Sequence, residues 1–267
     1  MKKRSLDIVF LVICVAWAVI VVPRMFTGRW SPEAEMALVW AGGVLRLAFL
    51  AVATYAGAKG LQYLEIGNPA RNAQALLAGG FGAYLIAQTA LFVLSIASGG
   101  IPPYPSAADI GFFVAMFLMI AGVAVAIRAW LSLGLFPDGG RRVATTAAAV
   151  AVPLAVGVIV TIRTLATADV PVLQTAADMT YPILDSTLIV LTAAMLRLTL
   201  LLGKGMVGVV WRSLLAGFLA MAAGDVVYSF FAGFNLDALD PVLDVLYTVS
   251  YALLARGALL QLKLLRS

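Results

Sequence analysis

The sequence predicts an all-α, polytopic membrane protein, and three of its features support this. Hydrophobic residues make up 63% of the 267 residues and charged residues only 12%, whereas a soluble domain carries about 25% charged residues. The mean hydropathy is +1.03, and the apolar residues form continuous runs of about 20, the length that a helix needs to cross a bilayer. Basic residues stand at the ends of these runs, so the net charge of +5 does not indicate nucleic-acid binding.

Eight transmembrane helices are predicted, separated by short segments rich in Gly, Pro and Asn. They cover residues 7–23, 36–57, 73–97, 109–132, 143–165, 178–201, 207–233 and 241–262. The first follows the basic segment Met1–Arg4 and has the composition of a signal peptide, but it lacks a small-x-small cleavage site and is expected to be retained. The short connections hold no soluble domain, so residues 1–267 are predicted to form a single transmembrane helical bundle.

The distribution of basic residues predicts that both termini are cytoplasmic. With the N-terminus inside, the inner segments collect most of the lysines and arginines, and the outer segments hold only Arg24, Arg29 and Arg163. The acids show the opposite distribution, since most of them lie at or near the outer ends of the spans. A multi-pass protein of the cytoplasmic (inner) membrane is therefore expected.

A proline followed by an acid three or four residues later begins each even-numbered span. The four segments are Tyr181–Asp185, Tyr104–Asp109, Asp240–Asp244 and, as the weakest match, Pro32–Glu35. Proline suits the first helical turn because its missing N–H would have no partner there, and an acid in that turn interacts favourably with the helix dipole. The repeat predicts four helical hairpins, made of spans 1 and 2, 3 and 4, 5 and 6, and 7 and 8.

Three aspartates inside predicted spans are candidate functional residues. Asp185 and Asp244 lie a turn inside their spans, and Asp225 lies two or more turns from either end of its own. A carboxylate in hydrocarbon costs a few kcal/mol, so such residues usually face the interior of the bundle and have a partner. Arg46, a basic residue in mid-span, is expected to pair with Asp225 or Asp185, and a structural ion pair is favoured over a functional one.

Tyrosines and an amide stand near these acids, and together they predict a polar cavity that opens to the outer face. The predicted ligand-binding residues are Asp109, Asp185, Asp225, Asp244, Tyr104, Tyr181, Tyr228, Tyr247, Gln88 and Arg46. The expected ligand is a cationic or hydrogen-bonding molecule, an ion or a lipid headgroup. The alternative is a set of interhelical hydrogen bonds, worth about 1 kcal/mol each, that hold the bundle together.

Several chemistries lack the residues that they need. The sequence has no histidine and a single cysteine, Cys14, which excludes His-based zinc or haem sites and cysteine metal clusters. No lysine lies in mid-span to form a retinal Schiff base, and no phosphate-binding loop, His-Glu-x-x-His or Gly-x-Ser-x-Gly motif occurs. No enzyme activity, no cofactor and no metal site are therefore expected.

A resemblance to a known family rests on four segments rich in Pro, Asp and Tyr. They are Pro-Pro-Tyr-Pro-Ser-Ala-Ala-Asp (102–109), Tyr-Pro-Ile-Leu-Asp (181–185), Ala-Gly-Asp-Val-Val-Tyr (223–228) and Leu-Asp-Pro-Val-Leu-Asp-Val-Leu-Tyr (239–247). Over residues 75–262 the pattern resembles the multispanning membrane sensory modules that precede GGDEF/EAL and histidine-kinase domains in prokaryotes. The resemblance implies a helical bundle that receives a signal in or near the membrane, with the four aspartates of these segments and their tyrosines at the matching positions. No output domain follows Ser267, so such a sensor is expected to signal through a partner.

The sequence therefore favours a membrane-embedded sensory or binding module that acts through a membrane or cytoplasmic protein partner, surrounded by membrane lipids. The alternatives are an accessory or structural subunit of a larger membrane complex, a small transporter and, last, an enzyme that acts on lipids. Transport would need a polar path through the inner halves of the spans, where the sequence offers few strongly polar side chains. A broad apolar face with small residues would favour docking in a complex.

Overall fold

The described part of the chain is built from helices and contains no strand. The structure is a computed structural model and describes residues 3–27, 30–99, 104–134, 138–166, 171–201, 205–232 and 240–267. Its long helices are α1 (Lys3–Val21), α2 (Pro32–Gly60), α3 (Pro69–Ala97), α4 (Ala107–Ser132), α5 (Gly139–Ala166), α6 (Val172–Leu200), α7 (Met206–Ala232) and α8 (Asp240–Leu265). All eight are long and apolar enough to cross a membrane. For these residues, the prediction of an all-α chain with eight helices long and apolar enough to span a membrane is confirmed.

A few features used above lie outside the described residues. They are Met1, Lys2, Arg29, Pro102, Pro103 and Leu239, together with the side chains of Arg4 and Arg163. The side of the membrane on which each terminus lies, and the arrangement as four hairpins, stay predictions.

Polar residues that cap the helices explain where three of the eight begin. The Ser31 side chain accepts a hydrogen bond from the Ala34 N–H at the start of α2, and Asn68 does the same for Ala70 at the start of α3. Ser106 accepts from Ala108 at the start of α4. These side chains satisfy N–H groups that have no partner within the helix.

The prediction that each proline stands near a first helical turn is wrong for Pro182. Helix α6 begins at Val172, so that Pro182 lies inside it. Residues 172–180 extend the helix because they contain no glycine or proline, and Pro171 stands at its N-cap. The longer helix places Asp178 and Asp185 seven residues apart on one face, and both are buried, with 4% and 3% of their surface exposed.

Six of the helices close into a ring. In this ring α2 packs against α3 and α8, α3 against α4, α4 against α6, α6 against α7, and α7 against α8. Helix α1 lies outside and packs mainly on α8, and α5 lies outside and packs on α6. The ring leaves one shared interior, which is filled by large side chains such as Leu50, Met116, Leu188 and Phe218.

Small residues set how closely the ring helices approach. A Cβ added at Gly111 of α4 would lie 2.8 Å from the Ala87 Cβ of α3, and one at Gly122 would lie 3.0 Å from the Leu77 backbone nitrogen. Close backbone approach of this kind is how membrane helices gain packing energy without a hydrophobic driving force. The contact between α3 and α4 therefore holds these two helices in a fixed register and fixes the depth of the polar groups that they carry.

Candidate functional site

Polar side chains from all six ring helices lie inside the ring, towards the end of the bundle that holds Tyr104. We call this group of side chains the acid–tyrosine cluster. Its members are Arg46 of α2, Tyr84 and Gln88 of α3, Asp109 of α4, Asp178, Tyr181 and Asp185 of α6, Asp225 and Tyr228 of α7, and Asp244, Tyr247 and Tyr251 of α8, with Tyr104 from the segment before α4. Every residue that the sequence predicted for ligand binding is among them.

Tyr104 lies at the edge of the cluster and bridges α6 and α7. Its hydroxyl donates a hydrogen bond of 2.5 Å to Asp178 Oδ1, and its ring packs edge-on against Tyr228, with ring centroids 5.2 Å apart. Burial raises the pKa of the Tyr104 phenol above its ordinary value, and the hydrogen bond to Asp178 raises it further. Tyr104 therefore stays a neutral donor over the physiological pH range.

Asp109 has two roles at the start of α4. One oxygen, Oδ2, accepts from the backbone N–H of Ser106 over 2.6 Å and completes a capping box, the helix-start chemistry expected of an acid at this position. The other, Oδ1, accepts a 2.6 Å bond from the Tyr181 hydroxyl of α6. Asp109 therefore combines a local cap with a contact between two ring helices, and it is buried, with 8% of its surface exposed.

The centre of the cluster is the pair Asp185 and Asp225. They lie on the adjacent helices α6 and α7, and their carboxyl groups interact electrostatically. Asp225 Oδ1 also accepts a 2.6 Å bond from the Tyr247 hydroxyl of α8. Neither oxygen of Asp185 has a donor among the described residues, although only 3% of that residue is exposed. What Asp185 faces is therefore a second acid.

Two tyrosines and an amide on α3 and α8 make a further set of contacts in the cluster. The Tyr251 hydroxyl donates to Gln88 Oε1 over 3.1 Å, and the rings of Tyr251 and Tyr84 pack edge-on with centroids 5.6 Å apart. The Tyr84 hydroxyl points at the Met221 sulfur at 3.1 Å, a weak acceptor. Tyr84, Gln88 and Tyr251 are buried.

Arg46 does pair with an acid, but the predicted partner is wrong. Its Nη1 lies 3.2 Å from Asp244 Oδ1, and its Nε donates to the Gly42 carbonyl oxygen of its own helix. The reason is the order of helices in the ring, since the ring neighbours of α2 are α3 and α8. The guanidinium is thus used by Asp244 and does not neutralise the Asp185–Asp225 pair.

Three of the four predicted acids converge, and the fourth stands beside them. Asp109 and Asp225 lie close enough to interact electrostatically, and Asp185 faces Asp225, whereas Asp244 is held by Arg46. Sequence reasoning missed Asp178 because it placed the start of α6 there. The spacing of seven residues between Asp178 and Asp185 was the available signal, since residues seven apart share a helix face.

The charges of the cluster do not balance among the described side chains. Five carboxyl groups lie in it, from Asp109, Asp178, Asp185, Asp225 and Asp244, and Arg46 is the basic residue that contacts one of them. Tyrosine hydroxyls stabilise three of the others by donation. No group of three or more His, Cys, Asp or Glu residues in the described part of the chain is arranged to hold a metal ion.

Polar side chains also lie at the end of the bundle opposite Tyr104, which the sequence did not predict. Gln261 of α8 donates to Gln74 Oε1 of α3 over 2.6 Å, and Gln74 donates to the Gly57 carbonyl oxygen of α2. Arg256 of α8 contacts Asp7 of α1 at 2.7 Å and donates to Ser213 of α7. Helix α8 therefore carries polar contacts at both ends of the bundle.

In comparisons with family models, curated proteins and solved structures, no match to this chain was found. The resemblance to membrane sensory modules stays a prediction from four short segments. The function of the cluster has to be argued from its own residues.

Proposed function

We propose that this chain is a membrane-embedded binding module whose acid–tyrosine cluster holds a positively charged or hydrogen-bond-donating ligand. Its occupancy would be passed to a partner protein, as in the sensory modules that the sequence resembles. In this proposal the protein crosses the cytoplasmic membrane as four hairpins with both termini inside, which the distribution of basic residues supports. The cluster then lies near the outer face, within reach of a ligand from that side.

The observation that carries the proposal is the state of Asp185. A buried polar group in a native protein nearly always has a hydrogen-bond partner, and a buried charge without one is costly. Asp185 is almost wholly buried and has no donor among the described residues. A ligand that brings positive charge or donors to this carboxyl would supply what the described side chains do not.

Interhelical hydrogen bonds alone explain the cluster less well. Asp109, Asp178 and Asp225 each accept a tyrosine hydroxyl from another segment and would serve as such bonds. Asp185 contributes no such bond and adds a like charge beside Asp225. An asparagine or leucine at that position would stabilise the bundle better if helix packing were its only role.

The contacts of α8 suggest how occupancy would reach a partner. This helix carries Tyr247, which bonds Asp225, and nine residues further on it carries Arg256, which contacts Asp7 and Ser213. A ligand that shifts Tyr247 would move α8 as a rigid element and alter the contact between Arg256 and α1. That end of the bundle would then present a different surface to the partner.

The test is purification of the full chain from native membranes in mild detergent, with mass spectrometry of co-purifying small molecules and proteins. We expect a bound molecule and a protein partner with the wild type and loss of the molecule with Asp185→Asn. Glu35→Gln is the matched control, because Glu35 pairs with Arg24 away from the cluster. A stoichiometric partner without any bound molecule in either protein would overturn the proposal in favour of an accessory subunit.

A small transporter is the second candidate, and the polar contacts at the opposite end favour it. Gln74, Gln261, Ser213 and Arg256 supply polar groups in the half of the bundle that transport would require. Ion flux into liposomes that contain the purified protein distinguishes the two functions. Flux that Asp185→Asn abolishes would favour transport, and binding without flux would favour the sensory module.

A further inference from the structure

The Asp185–Asp225 pair has a specific electrostatic requirement. Both groups are acceptors when ionised, so two carboxylates facing each other repel, and the repulsion is strong where water is excluded. The Tyr247 hydroxyl donates its hydrogen bond to Asp225 Oδ1. The oxygens of Asp185 have no donor among the described residues. One positive charge between the two carboxyl groups would turn the repulsion into attraction.

The groups around the pair do not supply that charge. Tyr84 of α3, Asp109 of α4, Tyr181 of α6, and Tyr247 and Tyr251 of α8 face it, and they are neutral or acidic. Arg46 of α2 is engaged by Asp244. The described titratable side chains of α5 are Arg141 and Arg142, in its first turn.

The number of ligands sets the class of cation. Ca²⁺ takes six to eight oxygen ligands and Mg²⁺ keeps near-ideal octahedral geometry, whereas the described residues offer no group of three acids for such an ion. Two ionised carboxyl groups carry a charge of −2, and one monovalent cation between them lowers this to −1. A proton needs only one oxygen from each carboxyl group, and Na⁺ would use the same oxygens together with further oxygen ligands after the proton leaves.

We propose that Asp185 and Asp225 form a binding site for one monovalent cation, a proton or Na⁺, held between their carboxyl groups, with Tyr247 orienting Asp225. This inference deepens the proposed function and rests on it, since cation occupancy would be the signal that the module reports. Binding is an exchange in which one Na⁺ enters as one proton leaves. The apparent affinity for Na⁺ therefore falls tenfold for each unit by which the pH drops below the range where the proton is lost.

The experiment uses the purified full chain in detergent, with choline chloride replacing NaCl at constant ionic strength. Infrared spectroscopy in H₂O and D₂O detects the C=O stretch of a protonated carboxyl group, which shifts on deuteration. We expect this band in the wild type and in Glu35→Gln, and its loss in Asp185→Asn and in Asp225→Asn. The unfolding temperature of the wild type is measured in parallel at increasing Na⁺ concentration. This measurement needs no variant, so it remains informative if the substituted proteins fail to fold.

The outcomes separate the two cations and the two proposals. A band that disappears on adding NaCl, together with a rise in unfolding temperature, assigns Na⁺ as a competitor for the proton. A band that NaCl leaves unchanged but raised pH removes assigns the proton alone. No protonated-carboxyl band and no difference between Na⁺ and choline in the wild type would overturn this inference. That result would leave the proposed function standing if purification still recovers another ligand whose binding needs Asp185.

Discussion

Tyr247 and Asp225 join two adjacent ring helices through a 2.6 Å hydrogen bond between the phenol and the carboxyl group. Tyr247 stands one turn after Asp244 in the sequence, yet it bonds an acid on the neighbouring helix. The ring of Tyr247 also lies against Gly224, where an added Cβ would be 3.0 Å from its Cε1. Gly224 therefore makes the room that lets the tyrosine reach Asp225.

Replacing Tyr247 by phenylalanine is expected to destabilise the bundle. The substitution keeps the ring but leaves Asp225 without its donor, and an unsatisfied buried partner costs about 1–3 kcal/mol. The free energy of unfolding in detergent measures this loss. Tyr55→Phe is the control, because Tyr55 is 61% exposed on α2 and such surface changes stay within about 0.5 kcal/mol. Equal effects of the two substitutions would contradict the role given to Tyr247.

The Arg46–Asp244 ion pair predicts strong coupling between two distant positions. Either Arg46→Met or Asp244→Asn alone is expected to cost about 2–4 kcal/mol, since each leaves a charge without its partner. The side chains of Arg46 and Asp244 are 17% and 26% exposed. Water can therefore partly solvate the unpaired charge, so we expect a cost towards the lower end of this range. In a double-mutant cycle, the double variant should lose less unfolding free energy than the two single variants lose together. Strict additivity would mean that the two groups do not interact.

The close approach of α3 and α4 predicts a steric effect at Gly111. An alanine there would bring its Cβ to 2.8 Å from the Ala87 Cβ, and the helices would have to separate at a cost of about 1–3 kcal/mol. Gly79→Ala on α3 is the matched control, because its Cβ would have its nearest neighbour at 3.8 Å and gains helix propensity. Unfolding temperatures of the two variants should move in opposite directions. A stabilising Gly111→Ala would show that the helices are not in tight contact there.

The contact between Tyr104 and Asp178 predicts a pH dependence on the alkaline side. Burial raises the pKa of Tyr104 in the folded protein, whereas the unfolded chain has a tyrosine pKa of about 10. Below that pH the contact contributes in full, and above it the unfolded chain loses its proton first, so stability falls as the pH rises. The stability difference between wild type and Tyr104→Phe should be constant from about pH 7 to 9 and shrink above about pH 10. A difference that grows with pH would contradict this assignment.

Hydropathy was sufficient to predict the eight helices, because their length is set by the bilayer and their composition by its lipid. It was not sufficient to place Pro182, where the local preference of proline for a first turn was overruled by a longer helix. Membrane helices tolerate such a proline because neighbouring groups satisfy the backbone that it exposes.

Most members of the candidate site were predictable, although Asp178, Tyr84 and Tyr251 were missed, but its contacts were not. Helical spacing indicates which residues share a face, so most acids and tyrosines of the cluster could be named. It does not indicate which helices are neighbours, and for that reason Arg46 was assigned to the wrong acid. The pairing of Asp185 with Asp225 likewise depends on α6 and α7 being adjacent in the ring.

The closure of the ring by α2 and α8 has a consequence for biosynthesis. Arg46 and Asp244 are separated by 198 residues, and a ribosome that adds about 5–20 residues per second needs roughly 10–40 s to cover that distance. During this time the guanidinium has been made and its acid has not. A nascent chain that stalls before α8 therefore lacks the carboxylate that pairs with Arg46 in the completed bundle.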